Sequence, residues 1–301
     1  MNTRPLAQIG QELIPGYRVR QLRGRGSFGS VWEVEAADGT AYAFKVMPCS
    51  DSTAAAKEIR ALQAVRDLCH PHIIRIEQVW SHAGSFIVGM ELADGSLLDL
   101  LEAYQSEYGT ALGAAEACAY LTQAAAALDY LNARQHTRDG RRVGFQHGDI
   151  KPSNLLLFGD TLKVGDLGLL RPVSAPVTFA HWAGTMDYAA PEVFQGRLTD
   201  WSDQYALAVS YCQVRSGRLP FPAMTSSGSW PRGFLRPPPD LSLLSEAERP
   251  VLRRALALVP QHRWPSCGEL MAQLKRAVAA EQGPRRRHAP RTFQPASSRP
   301  S

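Results

Sequence analysis

The sequence predicts an α+β protein with a small antiparallel-sheet lobe followed by a larger, mainly helical lobe. Between Tyr17 and Leu92, apolar residues alternate in short runs separated by glycine-containing turns, which is the pattern of antiparallel strands. After Asp94 the apolar runs become longer and rich in alanine, with helical spacing. The composition, 45% hydrophobic and 20% charged over 301 residues, is that of an ordinary globular protein.

The first ninety residues contain five candidate strands and one candidate helix. The segments YRVRQL and VWEVEA alternate, and an Asp-Gly turn at 38–39 precedes TAYAFKVM, which together predict a three-stranded meander. A helix is predicted next, because apolar residues recur at helical spacing across 59–68. Two further strands are predicted, around 73–80 and 85–92.

The second lobe is expected to consist mainly of helices, which are predicted in the segments AAEACAYLTQAAAALDYLNA, DQYALAVSYCQV, EAERPVLRRALAL and CGELMAQLKRAVAA. A proline-rich stretch from Leu219 to Leu241 is predicted to be a loop region that packing orders. We expect an N-terminal extension at 1–16, a folded domain at 17–279 with lobes at 17–93 and 94–279, and a basic, disordered tail at 280–301.

The charge distribution argues against a protein built around nucleic acid. The formal net charge is +5, and five arginines but no acidic residue follow Pro284, so the rest of the chain is formally neutral. Nucleic-acid-binding proteins concentrate lysine and arginine on a folded face instead. The sequence has no long apolar run, and its five cysteines are scattered. We therefore expect no specific nucleic-acid partner, no membrane span and a cytoplasmic location.

A glycine-rich turn is predicted between the first two strands. The segment LRGRGSFGSVW contains Gly24, Gly26 and Gly29, with Val31 shortly after them. Glycines let backbone N–H groups approach phosphate oxygens with no Cβ in the way, although a flexible hairpin would have the same composition. Because this loop joins two strands and does not open a helix, a dinucleotide-binding βα unit is disfavoured.

Lys45 is predicted to lie on the third strand with apolar neighbours on both sides. Its ammonium group is then expected to point inward and to need an anionic partner. Glu58, on the predicted helix and one turn before Leu62, is the natural counter-charge. The alternative is an ordinary surface lysine whose charge reaches solvent.

The most specific pattern is FQHGDIKPSNLLLFGDTLKVGDLGLL. In it, Asp149 can accept the hydrogen bond of an incoming hydroxyl, and Lys151 can steady a transferred phosphate. Asn154 can offer its side-chain oxygen to a metal, and Asp166 can supply a carboxylate ligand for magnesium. Phosphoryl transfer needs such a set, because its barrier is lowered mainly by positioning and by neutralising charge on oxygen.

From about Tyr17 to about Ala279 the chain resembles the eukaryotic-type, or Hanks-type, serine/threonine protein kinase catalytic domain, bacterial members included. The resemblance implies the two-lobed fold of that family and transfer of the γ-phosphate of magnesium-bound ATP to a serine or threonine of a protein substrate, with ATP between the lobes. It implies catalytic roles for Asp149, Lys151 and Lys45, magnesium ligation by Asn154 and Asp166, and nucleotide binding by Gly24, Gly26, Gly29, Val31, Lys45, Glu58, Glu91 and Leu92.

The segment GTMDYAAPE resembles the substrate-docking end of the family's activation segment. The resemblance implies that Thr185 bonds the catalytic aspartate and lysine and that Glu192 pairs with Arg263. It also implies that Asp203 accepts backbone hydrogen bonds from the catalytic loop. These contacts are expected to support the site without taking part in the chemistry.

The chain departs from the family pattern at three places. Gly148 replaces the arginine that usually precedes the catalytic aspartate, Leu167 stands where phenylalanine is usual, and NARQHTRDGRRVGFQ lengthens the link into the catalytic loop. Two alternatives stay open at this stage. One is a catalytically silent kinase-like binding module, and the other is a small-molecule kinase of the aminoglycoside or choline type.

Overall fold

The computed structural model of the chain describes residues 7–26, 29–48, 68–82, 84–138, 140–173, 184–222 and 236–282. The chain divides into two compact units, Met1–Cys69 with Ile73–Ala93 and His70–His72 with Asp94–Ser301. Residues 59–67 of the predicted helix and most of the proline-rich stretch lie outside the described residues. In the predicted tail at 280–301, residues 280–282 belong to a helix that ends at Gln282, and the rest lies outside the described residues. The predicted fold class, a sheet lobe plus a mainly helical lobe, is confirmed.

The described part of the first unit is an antiparallel sheet with the strand order β1-β2-β3-β4-β6-β5. Its strands are β1 Glu12–Ile14, β2 Tyr17–Gly26, β3 Gly29–Ala36, β4 Ala41–Pro48, β5 Ile76–His82 and β6 Ser85–Glu91. Residues on one face of the sheet form its core, among them Val19, Trp32, Val34, Phe44 and Ile87. All five predicted strands are present.

Strand β1 is a sixth strand that the sequence did not reveal. It pairs antiparallel with β2, and Leu13 and Ile14 are buried in the same core. Three residues are too few to show a period of two, so no strand pattern marked this segment. Gly16 makes the tight turn into β2 with a left-handed φ of 86°, a conformation that favours glycine.

The second unit is mainly helical. Its α-helices in the described residues are α1 Leu97–Tyr108, α2 Ala114–Asn132, α3 Ser202–Ser216, α4 Glu248–Ala255 and α5 Cys267–Gln282, and its short strands are β7 Gly95–Ser96, β8 His136–Arg138, β9 Arg141–Val143, β10 Phe145–Gln146, β11 Leu155–Phe158, β12 Thr161–Val164 and β13 Arg171–Pro172. The helices predicted in four segments are confirmed. Among the described residues, no helix is both long and apolar enough to cross a membrane.

Two small sheets fix the loops that carry the candidate site. Strand β11 pairs with β12 and with β7, and β10 pairs with β13. The loop 147–154 therefore starts from one sheet and ends in the other, and the segment 165–170 joins the same two sheets in the opposite direction. Both loops are thus fixed at their two ends.

Helix α3 is the centre of the second unit. It is buried along almost its whole length, including Asp203, Tyr205 and Tyr211. A helix without a solvent face belongs to the core of its domain. Asp203, in the first turn of this helix, is therefore held rigidly and shielded from water.

A buried ion pair ties the segment before α3 to the end of the helical unit. Arg263 donates from Nη1 and Nη2 to the two carboxylate oxygens of Glu192, at 2.8 and 2.7 Å, and the exposed fractions of the two side chains are 0% and 1%. Burial would raise the pKa of Glu192, but the hydrogen bond and charge of Arg263 outweigh it and hold the pKa below its ordinary value. The predicted contact is therefore present.

We predict that Arg263→Met lowers the free energy of unfolding by about 3–5 kcal/mol, because it leaves the Glu192 carboxylate buried and unpaired. Urea unfolding of the purified chain measures this loss. The control is Arg134→Met, which removes an exposed ion pair with Asp200 at 3.2 Å and should change stability little. A similar small effect at both positions would contradict the prediction.

Candidate active site

The backbone of loop 147–154 is held by the carboxylate of Asp203 in α3. The His147 N–H donates to Oδ2 at 2.6 Å and the Gly148 N–H donates to Oδ1 at 3.0 Å. In return, the Asp203 N–H donates to the side-chain oxygen of Gln146 at 2.9 Å. The expected contact between Asp203 and this loop is therefore present, and it is formed by both oxygens of the carboxylate.

Gly148 adopts a left-handed backbone with a φ of 80°. L-residues with side chains are strained in this region. The glycine that stands in place of the family's arginine therefore fits the local backbone. An arginine in this conformation would carry backbone strain that glycine does not.

His147 connects this loop to the segment that carries Asp166. Its Nδ1 accepts the N–H of Asp149 at 3.2 Å, so the ring proton resides on Nε2, which donates to the Gly165 carbonyl oxygen at 2.8 Å. The imidazole is fully buried. It therefore acts as a fixed spacer between the two loops.

Asp149 is the single carboxylate of loop 147–154, and its exposed fraction is 9%. Its Oδ1 accepts the Thr185 N–H at 2.7 Å, and its Oδ2 accepts from Asn154 Nδ2 at 3.0 Å and from Lys151 Nζ at 2.8 Å. Burial would raise the pKa of Asp149, but Lys151 and the Thr185 N–H outweigh it and hold the pKa below its ordinary value. The group is therefore a carboxylate at neutral pH.

Lys151 bridges Asp149 and Thr185. Besides its ion pair with Asp149, its Nζ donates to Thr185 Oγ1 at 2.6 Å. Thr185 thus contacts the aspartate through its N–H and the lysine through its hydroxyl, as the sequence predicted. The three residues form one polar cluster at the start of the segment 185–189.

Asn154 and Asp166 are brought close by a backbone hydrogen bond between their loops. The Gly165 N–H donates to the Asn154 carbonyl oxygen at 2.8 Å, and Asn154 Nδ2 donates to the Asp149 carbonyl oxygen at 2.8 Å. Asp166 has a left-handed φ of 53°. Such strain in a residue other than glycine is typical of functional sites.

The donor set at this position fits magnesium. Asn154 has an amide oxygen and Asp166 a carboxylate, and Mg²⁺ prefers hard oxygen ligands from one or two carboxylates together with substrate phosphates. Within the described ranges, no group of three or more His, Cys, Asp or Glu side chains could hold a metal ion alone. A site completed by phosphate oxygens is the type that these two residues suit.

The predicted nucleotide-binding residues of the first unit lie on neighbouring strands. Val31 is opposite Gly24 in β2 and opposite Lys45 in β4, and Gly26 is opposite Gly29. The sequence placed Gly24 and Gly26 in a turn, but they are the last residues of β2. The β2–β3 ladder continues to the Gly26–Gly29 pair, so the connection is shorter than the glycine pattern indicated, and its residues 27–28 lie outside the described part.

The three glycines differ in what the fold requires of them. A Cβ at Gly29 would lie 2.2 Å from the Val46 carbonyl oxygen, so the close approach of β4 requires glycine there. At Gly24 or Gly26, a Cβ would have no heavy atom of the described residues within 4 Å. Packing within this unit therefore does not require glycine at those two positions.

Three further predicted nucleotide-binding residues of the first unit lie in its strands or directly after them: Lys45, Glu91 and Leu92. Lys45 is half-buried in β4, opposite Val88 of β6. Glu91 ends β6 and accepts the Arg75 N–H at 2.9 Å, and Leu92 follows it, half-buried. Glu58 lies outside the described residues, so its pairing with Lys45 stays a prediction.

Sequence reasoning missed one residue of the loop's support. Gln146 is buried and its side-chain oxygen fixes the first turn of α3 through Asp203. The available signal was a polar residue next to Phe145 in a short apolar strand, directly before the motif. That signal alone does not distinguish a support from an ordinary strand residue.

The sequence of the chain is similar to those of known protein kinases. The protein kinase domain family model matches residues 17–270. Serine/threonine-protein kinase PknD of Mycobacterium tuberculosis is 32% identical over 276 residues, which cover 87% of this chain and 40% of PknD. CBL-interacting protein kinase 4 of Oryza sativa subsp. japonica is 34% identical over 226 residues, which cover 70% of this chain and 47% of the rice protein.

A solved structure supports the fold. The crystal structure of a cysteine-to-alanine mutant of the Mycobacterium tuberculosis PknI kinase domain matches with a TM-score of 0.65 and 24% identity, covering 93% of this chain and 100% of that domain. The chain spans less than half the length of the two curated relatives named above. Because the family model covers most of the sequence, the chain belongs to the protein kinase family and resembles its Hanks-type bacterial members.

Proposed function

We propose that this chain is an ATP-dependent serine/threonine protein kinase, which transfers the γ-phosphoryl group of Mg-ATP to a hydroxyl of a protein substrate. The observation that carries the proposal is the cluster of Asp149, Lys151 and Thr185, in which an ionised, buried carboxylate lies beside an ammonium group. Such an arrangement can accept a proton and stabilise phosphoryl charge within a few ångströms.

Asp149 is the proposed acceptor of the hydroxyl proton. Its Oδ1 accepts one hydrogen bond, from Thr185, and a carboxylate oxygen has a second lone pair for the substrate hydroxyl. In the reaction, the hydroxyl oxygen forms a bond to the γ-phosphorus while the bond from that phosphorus to the β,γ-bridging oxygen breaks, which releases ADP. The hydroxyl proton goes to Asp149, and Lys151 offsets the charge on the transferred group.

Asn154 and Asp166 are the proposed magnesium ligands. Their contribution is to hold amide and carboxylate oxygens at fixed positions on two loops that Gly165 and His147 connect. Magnesium, when bound, neutralises charge on the phosphate oxygens. The side-chain nitrogen of Asn154 is already bonded to Asp149, which orients the amide oxygen away from that carboxylate.

ATP is the proposed nucleotide, held by residues of the sheet unit. Gly24 and Gly26 have open space where a Cβ would be, which supports a role in close approach to phosphates. Lys45 is proposed to bind phosphate with Glu58 as its partner. The proposed set is completed by Val31, Gly29, Glu91 and Leu92. Glu91 is the last residue of β6, and Leu92 follows it.

The proposed acceptor is serine or threonine in a protein. The relatives named above include a serine/threonine-protein kinase, and we propose that Lys151 and Thr185, which are bonded to each other, shape the site beside Asp149 for a short side chain. The five cysteines are scattered along the sequence, and Cys118, Cys212 and Cys267 are buried thiols, which suits the reducing cytoplasm, and we propose that location. No described feature favours a small-molecule kinase or a silent binding module.

We predict that Asp166→Asn reduces phosphoryl transfer to a generic basic protein by about a hundredfold or more, because it removes a charge from the metal site. The measurement is transfer from labelled ATP with magnesium. Asp160→Asn is the matched control, since Asp160 is exposed in the β11–β12 turn. Transfer by Asp166→Asn at the rate of the control would refute the assignment.

We also predict that the label appears on serine or threonine. Phosphoamino-acid analysis of the same product, after acid hydrolysis, measures this directly. A product dominated by phosphotyrosine would contradict the proposed acceptor class. Transfer to choline or an aminoglycoside, in place of protein, would favour the small-molecule alternative.

A further inference from the structure

Arg236 is a buried cation next to the turn that contacts Asp149. Its exposed fraction is 4%, although it belongs to the proline-rich stretch that the sequence predicted to be a loop. Its Nη2 donates to the carbonyl oxygens of Met186, Asp187 and Ala189, the last two at 3.0 Å. These three acceptors all belong to a single turn of the backbone.

Two aromatic rings lie beside the guanidinium. It lies 5.3 Å from the ring centroid of Phe194 and 4.9 Å from that of Phe221. Burial lowers the pKa of Arg236, and its buried Nε has no hydrogen-bond partner among the described residues. Burying a charged side chain between two phenyl rings costs free energy that an apolar side chain would not cost. An apolar side chain, however, could not fix the orientation of three peptide carbonyls.

The turn that Arg236 holds starts at the polar cluster. Thr185 precedes Met186, and the Tyr188 N–H donates to the Thr185 carbonyl oxygen at 3.2 Å. At the same time the Thr185 N–H donates to Asp149 Oδ1 at 2.7 Å. One short segment is therefore held at one end by Asp149 and Lys151 and along its length by Arg236.

We propose that Arg236 is a positioning residue for the protein acceptor: it turns the carbonyls of 186–189 inward and so sets this segment against Asp149. This inference rests on the proposed function. The hydrogen bonds of Arg236 go to this segment, so its loss should weaken use of the acceptor and leave use of ATP unchanged. No sequence signal marked this residue, because its partners lie about fifty positions earlier in the chain.

The test compares Arg236→Lys and Arg236→Gln with Arg218→Gln in steady-state transfer to a basic protein. Lysine keeps the charge, but its side chain is one bond shorter than that of arginine, so its ammonium does not reach the position from which Nη2 bonds the three carbonyls. Arg218 is a matched control, since it forms an exposed ion pair with Asp240 at 2.8 Å. Both Arg236 variants should raise the acceptor KM about tenfold or more and keep the KM for ATP within about twofold. Equal changes in both KM values, or none, would overturn the proposal.

A second measurement does not depend on catalysis. Hydrogen exchange at the Thr185 and Tyr188 amides should become faster in Arg236→Lys than in the unaltered chain and in Arg218→Gln. Unchanged exchange would overturn this inference, whereas absence of transfer by the unaltered chain would overturn the proposed function. Failure of both Arg236 variants to fold would assign Arg236 a purely structural role and would equally overturn it.

Discussion

The buried carboxylate of Asp203 is the constraint on which the candidate site depends. It accepts two consecutive backbone N–H groups of the loop that carries Asp149, and helix α3 holds it in the centre of the unit. Burial raises the pKa of Asp203, while the two N–H donors oppose that rise. Without this acceptor, two buried donors would lack partners, and each such loss costs about 1–3 kcal/mol.

Hydrogen bonds connect the loop that Asp203 fixes to the segment that carries Asp166. The His147 ring bonds the Gly165 carbonyl oxygen, and the Gly165 N–H bonds the Asn154 carbonyl oxygen. The side chains of Asp149, Asn154 and Asp166 are therefore positioned by main-chain hydrogen bonds and by the buried ring of His147. Preorganised groups of this kind lose little energy to rearrangement during a reaction. This explains why loops, and not regular elements, can carry the site.

The sequence predicted strands β2 to β6 and four of the five described helices, because each has enough residues to show its period. It also predicted the cluster around Asp149, since Asp149 and Lys151 lie in one specific motif and Thr185 lies in a second, GTMDYAAPE. Strand β1 was too short for any period. The reason for Gly148 was hidden because a left-handed φ is not visible in composition. Arg236 could not be predicted, because its role comes from long-range packing inside a proline-rich loop.

The most direct measurement of the central claim is single-turnover phosphoryl transfer by Asp203→Asn, with ATP and acceptor protein at saturation. An amide offers one acceptor oxygen where the carboxylate offers two, so the loop that carries Asp149 should shift, and the rate should fall by about a hundredfold. The control is Asp200→Asn, three positions earlier, which changes the ion-pair partner of Arg134. This variant should transfer phosphate at the rate of the unaltered chain. A folded Asp203→Asn protein that transfers phosphate as fast as this control would contradict the account.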